Sequence, residues 1–248
     1  MTGADIGRLR DIRKVGDWPP GSLLGGLGEA ARDGFLALGR PRQLAAGETL
    51  FTEGDRSTDV FLLLDACVKI TTRTEGGRTA LLGLRVCGDL AGEFAALDGR
   101  PRAVTATAAG HCLVRVMPQD DFLGFLRRCP EAASAVQRMG RAGLRPADGR
   151  HVEFGTLPAL RRLARVLVEL ACHGRDVPEG LLLDVDLTRA ELAALVGARE
   201  PTIYRDLDVL RRGGILGTDA GRIVVHDVRR LRGLAGLGGH LWEYEVPA

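Results

Sequence analysis

The run Gly88-Asp89-Leu90-Ala91-Gly92-Glu93-Phe94-Ala95-Ala96-Leu97-Asp98-Gly99-Arg100-Pro101-Arg102-Ala103-Val104-Thr105-Ala106-Thr107 decides how the rest of the chain is read. Gly88, Gly92 and Gly99 allow tight turns that bring backbone N–H groups close to a ligand, since no Cβ intervenes. Arg102 carries a planar two-donor fork that matches a phosphate, a geometry lysine cannot copy. Glu93, ionised at neutral pH, only accepts hydrogen bonds; it suits a sugar hydroxyl and repels a phosphate set directly against it. One acceptor and one fork, nine residues apart around a glycine-containing bend, suit a nucleotide with a ribose and a single anionic phosphate. The plain alternative is a surface hairpin with a solvated Glu–Arg pair worth about 0–1 kcal/mol.

Gly92-Glu93-Phe94-Ala95-Ala96-Leu97, followed by Pro101-Arg102-Ala103-Val104-Thr105, resembles the phosphate-binding cassette of cyclic-nucleotide-binding domains. The version it is similar to is that of cyclic-AMP-dependent kinase regulatory subunits and the cyclic-AMP receptor protein/FNR (Crp/Fnr) superfamily. Either half alone is uninformative; both halves at this spacing, inside a strand-rich segment, are specific to the fold. The resemblance implies ligand contacts at Gly92, Glu93, Phe94, Arg102 and Ala103, with cyclic AMP preferred over cyclic GMP as the ligand. Arg102→Ala is expected to abolish the ligand response and leave the fold intact.

A length of 248 residues allows one or two domains with a core in each. With 34 basic against 32 acidic residues, overall charge points to no partner, so a nucleic-acid footprint must be local. All the basic residues except Lys14 and Lys69 are arginine, which carries no functional weight. No apolar run reaches the roughly 18 residues of a membrane helix, and residues 1–20 lack an apolar signal core. A soluble, cytoplasmic protein with no membrane partner is expected. Cys67, Cys87, Cys112, Cys129 and Cys172 are scattered and never spaced C-x-x-C, so reduced, mostly buried thiols are expected. His111-Cys112 and Cys172-His173 are adjacent pairs that cannot both point to one metal from regular structure. FNR-type oxygen sensors carry an N-terminal cysteine group, and no cysteine precedes Cys67 here. Neither a metal, a haem nor an iron–sulfur cluster is expected, and no nucleophile–base pair suggests an enzyme.

Around the cassette the chain divides readily. Residues 1–21 read as a flexible extension closed by Trp18-Pro19-Pro20-Gly21, after which Ser22 is a helix N-cap and Leu23, Leu24, Leu27, Ala30, Ala31, Phe35 and Leu38 give one short helix. Short β-branched and aliphatic runs with regular turns fill Gln43 to Val116, among them Val60–Leu64, Val68–Thr72 and Leu81–Val86. They suggest a rolled antiparallel barrel, jelly-roll-like, within residues 22–129. The opening A-G-E-x-L-F-x-E-G-D, from Ala46 to Asp55, resembles the family roll; Ala66 replaces a frequent turn glycine. Asp120 to Arg128 reads as a short helix on the roll.

Residues 130–153 occupy the place of the family's dimerisation helix. Ala132, Val136, Met139 or Gly140, Gly143 and Ala147 follow the spacing of a two-helix seam. Gly140, Gly143 and Gly149 each cost about 1 kcal/mol and Pro146 about 3 kcal/mol, so a kink at Pro146 is expected. The resemblance puts Ala147 and Asp148 where the receptor protein holds two hydroxyl residues over adenine; neither is a hydroxyl, though Asp148 could accept from an exocyclic amine.

Phe154-Gly155-Thr156-Leu157-Pro158 is the expected hinge to a domain over 154–236, with a tail at 237–248. Leu160, Leu163, Ala164, Leu167, Leu170 and Ala171 form one helical stripe; Gly174 to Gly180 reads as loop and Leu181 to Val185 as strand. Thr188-Arg189-Ala190-Glu191 is a capping box, Gly197 supplies a turn, and Pro201 suits the first turn of a second helix. In that helix Ile203, Leu207 and Leu210 point inward, leaving Thr202, Tyr204, Arg205, Asp206 and Asp208 toward solvent or partner. Gly213–Leu216 and Gly221–Val225 form a hairpin.

Leu187 to Val225 resembles the winged helix-turn-helix of the same superfamily, whose recognition helix usually begins R-E-T-V-x-R; here the residues are Glu200-Pro201-Thr202-Ile203-Tyr204-Arg205. Arg205 is retained and suits guanine in the major groove, while Thr202, Arg189 and Arg199 suit phosphates. The implied DNA-facing set is Thr188, Arg189, Arg199, Glu200, Thr202, Tyr204 and Arg205. Glu200, Asp206 and Asp208 weaken the local positive field, so a protein-binding helical hairpin is the alternative. The whole is an α+β chain: β-roll sensor, connecting dimerisation helix and winged helix-turn-helix. It implies a homodimeric transcription regulator acting on double-stranded DNA and on RNA polymerase. Its rivals are the same architecture with a sensor that has lost its ligand, and a nucleotide-sensing adaptor that leaves DNA alone.

Overall fold

The computed structural model describes Trp18 and residues 22–74, 77, 79–140, 157–171, 174–219 and 221–237. The chain forms two compact units, Met1–Leu144 and Arg145–Ala248.

The first unit opens on a 3-10 turn, Leu24–Gly26, and helix α1, Glu29–Ala37. This corrects the single helix expected after Ser22. Leu27 and Gly28 are extended, and the Gly28 N–H is taken by Glu131 Oε1 at 2.7 Å, so the helix restarts instead of continuing. Gly25, Gly26 and Gly28 make the break inexpensive. Ser22 Oγ accepts from the Gly25 N–H at 3.1 Å, but the cap position of the 3-10 turn is Leu23 and that of α1 is Gly28, so Ser22 is the N-cap of neither.

The roll then follows as β1 (Arg40–Leu44), β2 (Thr49–Phe51), β3 (Val60–Asp65), β4 (Val68–Arg73), β5 (Thr79–Arg85), β6 (Leu90–Ala91), β7 (Thr105–Ala108) and β8 (Cys112–Met117). Two antiparallel sheets result, ordered β1-β8-β3-β6 and β2-β7-β4-β5. Strand β3 shows why the layers hold. Successive side chains of a strand point to opposite faces. Phe61 and Leu63 therefore join the core inside the roll with Phe51, Val68, Ala106 and Val114. Val60, Leu62 and Leu64 join a second core, shared with the helices.

That second core contains Phe35 of α1 and Phe122 of the next helix, α3, which spans Gln119–Arg128 after the cassette helix α2, Glu93–Asp98. Phe125 meets Phe35 edge-on with ring centroids 4.9 Å apart. A further helix, α4, occupies 130–140, the last described residues before 157. Ala132, Ala135, Val136 and Met139 of α4 are buried in the same core. The stripe Ala132, Val136 and Met139 expected as a two-helix seam is thus spent on the chain's own roll, because β3 already presents an apolar outer face there. Ser134, Gln137 and Arg138 face outward. Gly143, Pro146, Ala147, Asp148 and Gly149 lie outside the described residues, as do most of the 1–21 extension, the Phe154–Thr156 part of the hinge and residues 238–248.

The second unit contains α5 (Ala159–Ala171), β9 (Gly174–Val177), β10 (Gly180–Leu183), α6 (Arg189–Val196), α7 (Glu200–Arg212), β11 (Leu216–Asp219), β12 (Arg222–Val225) and α8 (Val228–Ala235). Its sheet runs β11-β12-β10-β9, antiparallel throughout. Two expectations need correction. The 174–180 loop is strand β9, and the strand expected through Val185 stops at Leu183, because Pro178-Glu179 turns the chain into a hairpin and Val177 pairs with Gly180. Only glycine fits at 180, where φ is +138° and a Cβ would stand 2.3 Å from the Val225 carbonyl oxygen. Beyond the sheet Asp227 accepts from the Arg230 N–H at 2.8 Å, capping α8, which packs on α5 through buried Leu231 and Ala235.

Candidate ligand cassette and nucleic-acid interface

Gly92 ends β6 in the left-handed region, φ 86°, and starts α2; Gly99, φ 68°, ends it. A Cβ at Gly92 would lie 2.5 Å from Arg102 Nη1 and 3.1 Å from the Asp59 carbonyl oxygen, so this close approach needs glycine. The return strand is tied to the acidic turn: Arg102 N–H donates to Asp55 O and Gly54 N–H to Arg102 O, both at 2.8 Å.

The bend does bring Glu93 and Arg102 together, both inward, 2% and 3% exposed. The Arg102 guanidinium donates from Nη1 to Gly92 O and from Nη2 to Asp59 O, each at 2.7 Å, and from Nε to Ser57 Oγ at 3.1 Å. It also stacks on Phe51, 4.2 Å from the ring centroid. Burial lowers its pKa, opposed by Asp59, Asp55 and Glu93. The side chain thus ties the 57–59 turn to Gly92, alongside the backbone hydrogen bonds between Arg102 and the Gly54–Asp55 turn, so Arg102→Ala removes structural contacts as well as ligand donors. A guanidinium has five N–H donors; those not engaged by these three acceptors are what a phosphate would meet.

Glu93 is the first residue of α2, where the helix dipole favours a negative charge. Its Oε1 is shut off from solvent and has no hydrogen-bond partner among the described residues. Burial pushes its carboxyl up; Arg85 and Arg102 pull it down and Asp89 pushes it further up. Asp89 is raised by burial too, against Arg85 and the Leu23 N–H that it accepts at 3.2 Å. Phe94 is 49% exposed, with Gly140 of α4 beside its ring, and Ala103 is exposed at the rim. Gly92, Glu93, Arg102 and Ala103 thus gather at one place, with Phe94 at its edge. Ala147 and Asp148 lie outside the described residues.

Ser57, the Asp59 carbonyl, Phe51 and Arg85 escaped the sequence reading. A carbonyl acceptor leaves no mark in sequence, since every residue has one. Arg85 could have been found by alternation: it pairs with Val68, which is buried in the roll, so both lie on the inward face.

In the second unit the capping box forms as read, Thr188 Oγ1 accepting from Glu191 N–H at 3.1 Å and Glu191 Oε2 from Thr188 N–H at 2.8 Å. Gly197 closes α6 in the left-handed region, φ 63°. Ile203, Leu207 and Leu210 are buried. Thr188, Arg199, Glu200 and Arg205 are exposed, Thr202 and Arg189 half-buried, and Tyr204 is 56% exposed with the Arg189 guanidinium 5.8 Å above its ring. One expectation fails: Asp206 turns inward, its Oδ2 buried without a hydrogen-bond partner among the described residues, its carboxyl raised by burial against Arg205 and Arg162. Asp208 is neutralised locally by Arg212, one turn on. Of the three acids that were to weaken the positive field, Asp206 is half-buried and Asp208 is paired, leaving Glu200 against Arg189, Arg199 and Arg205. A cleft of about 230 Å³ beside this face is lined by Thr188, Arg189, Leu192, Arg222 and Ile223 among others.

Among the described residues no helix is long and apolar enough to cross a membrane, and no cluster of His, Cys, Asp and Glu could hold a metal ion. Residues 41–129 match the cyclic nucleotide-binding domain, and residues 161–234 match the Crp-like helix-turn-helix domain. A CRP-like cAMP-activated global transcriptional regulator of Mycobacterium tuberculosis is 26% identical over 193 residues, covering 77% of this chain and 86% of that protein. The cyclic AMP receptor protein of Thermus thermophilus is 27% identical over 213 residues, covering 86% of this chain and 96% of that protein. In fold, FixK2 from Bradyrhizobium japonicum is similar with a TM-score of 0.62 at 21% identity, over 79% of this chain and 97% of that one.

Proposed function

The chain belongs to the Crp/Fnr superfamily of DNA-binding transcription regulators, and from that premise we propose that it is a cytoplasmic homodimer acting on double-stranded DNA under control of a cyclic nucleotide, cyclic AMP before cyclic GMP. The observation that carries the ligand is Glu93 Oε1, a buried carboxylate oxygen without a donor among the described residues, within range of the charge of the buried Arg102 guanidinium. Leaving such an acceptor unsatisfied costs about 1–3 kcal/mol. A ribose hydroxyl is the donor that would satisfy it, and the adjoining phosphate would take the remaining Arg102 donors. Phe94 and Ala103 would wall the ligand, and Ala147 and Asp148 would close over its base.

On the DNA side Arg205 would read guanine and Tyr204 and Glu200 neighbouring base edges, while Thr188, Arg189, Arg199 and Thr202 would hold phosphates. Two recognition helices in a homodimer would stand one DNA turn, about 34 Å, apart. RNA polymerase is the partner through which such a regulator would act.

A second reading has an observation in its favour: the Arg102 fork already donates to Gly92 O and Asp59 O, as in a sensor that needs no ligand. Calorimetry of the full chain separates the two. Heat and a raised melting temperature with cyclic AMP, weaker with cyclic GMP, are expected; neither effect with either nucleotide would select the ligand-free regulator. Retention on random-sequence duplex DNA, reduced in Arg205→Ala, is the expected result that rules out an adaptor that leaves DNA alone.

A further inference from the structure

Arg162, on the first turns of α5, is 9% exposed, and the function proposed above leaves it without a role. Its Nε donates to Val196 O at 2.7 Å, its Nη2 to Gly197 O at 3.1 Å and its Nη1 to Leu157 O. Val196 ends α6 and Gly197 is the corner between α6 and α7. Leu157 is the first described residue of the second unit. The last carbonyls of a helix lack intrahelical partners and carry partial negative charge, so a cation there is favoured. From another side Asp206, midway along α7, feels the Arg162 charge.

One guanidinium thus joins the start of the domain to the corner from which α7 departs, and its charge is felt by Asp206 of α7. Lysine could not do this: its compact ammonium lacks the planar spread of donors that reaches both sites at once. Burying a charge is costly, and apolar residues of similar volume often serve stability as well or better. Stability alone therefore does not account for an arginine at this position.

We propose that Arg162 is a positioning residue for DNA reading, fixing the angle at which α7 leaves the corner; this rests on α7 being the reading helix. Contacts to base edges require that angle, whereas contacts to phosphates tolerate a tilt. Losing Arg162 should cost sequence discrimination more than affinity.

The test uses the full chain, a duplex that the wild type enriches from a random pool, and a random-sequence duplex of the same length. For Arg162→Met and Arg162→Lys the ratio of the two affinities is expected to fall by about ten-fold or more, the loss typical of one misread base pair. Binding to the random duplex and its salt dependence should stay close to wild type, since the same phosphates are met. A merely structural residue would lower both affinities together, and that result, or an unchanged ratio, overturns the proposal. Should Arg162→Met fail to melt cooperatively, Arg162→Lys, which keeps charge and stem, decides it by the same ratio. A wild-type chain that enriches no duplex defeats the regulator reading and this proposal with it; discrimination by the wild type with an unchanged ratio in the variants defeats this proposal alone.

Discussion

Arg102 in the sensor unit and Arg162 in the helix-turn-helix unit are the same device built twice. Each is a buried arginine whose Nε, Nη1 and Nη2 donate to three acceptors. Each also has a carboxylate nearby with one buried oxygen that lacks a hydrogen-bond partner among the described residues, Glu93 Oε1 and Asp206 Oδ2. They differ in the company the carboxylate keeps. Around Asp206 the charges that act are cations, Arg205 and Arg162, and both offset its burial. Around Glu93 a second carboxyl, Asp89, adds to the burden that Arg85 and Arg102 relieve. Both oxygens lack a hydrogen-bond donor among the described residues, but only at Glu93 does a second carboxyl add to the cost of burial. A fold can hold a charge permanently in one place and leave it waiting in another, with the difference set by one additional acid.

The sharpest way to break this comparison is Arg102→Ala. If Arg102 is a structural hub as Arg162 is, the variant loses about 1–3 kcal/mol, because the part-buried hydrogen bonds to Gly92 O, Asp59 O and Ser57 Oγ are lost together. Chemical denaturation would show it, and a wild-type midpoint would mean that Arg102 serves the ligand alone. Thr188→Ala tests the reading unit at a smaller scale, removing the cap of α6 at a cost of about 1 kcal/mol in thermal denaturation, with the α7 contacts left in place.

Glu93→Gln is the smallest and most specific change. The Glu93 carboxyl lies above its ordinary 4.5 when folded, so the folded chain holds that proton more tightly than the unfolded one. Its contribution to stability is therefore fully present below about pH 4.5 and is lost as pH rises through the folded value. Glutamine does not ionise, so the variant should equal or fall below wild type in acid and gain on it as pH rises toward neutrality. Asp206→Asn should gain less, since two guanidinium groups support that charge and no second carboxyl opposes them. Equal gains at the two positions in melting curves across pH would erase the distinction drawn above. Cyclic AMP heat, if present in wild type, should shrink in Glu93→Gln.

Much of the cassette was legible because its chemistry is contiguous: a glycine, an acid and, nine residues on, an arginine can be read without knowing any distant contact. The helix-turn-helix was legible for a similar reason, since the Thr188–Glu191 box and the Ile203, Leu207, Leu210 stripe are local periodic signals. Strand β9 and helix α8 were not. Gly174-Arg175-Asp176-Val177 has no apolar alternation, and becomes strand because β10 offers it an edge. Helix α8 is short and arginine-rich, and forms because α5 buries Leu231 and Ala235 while Arg165 Nε donates to Ala235 O at 2.9 Å.

By itself, then, the sequence determined the kinds of element, the cassette chemistry and the family, since all three rest on residue identity at short spacing. The tertiary structure decided direction. It turned Arg102 and one oxygen of Asp206 inward, gave the α4 stripe to the chain's own roll and joined Arg162 to a corner 35 residues away. Those outcomes depend on which backbone carbonyls come within reach and which faces are already covered. The carbonyls are identical at every residue, so only folding decides which of them a buried arginine finds.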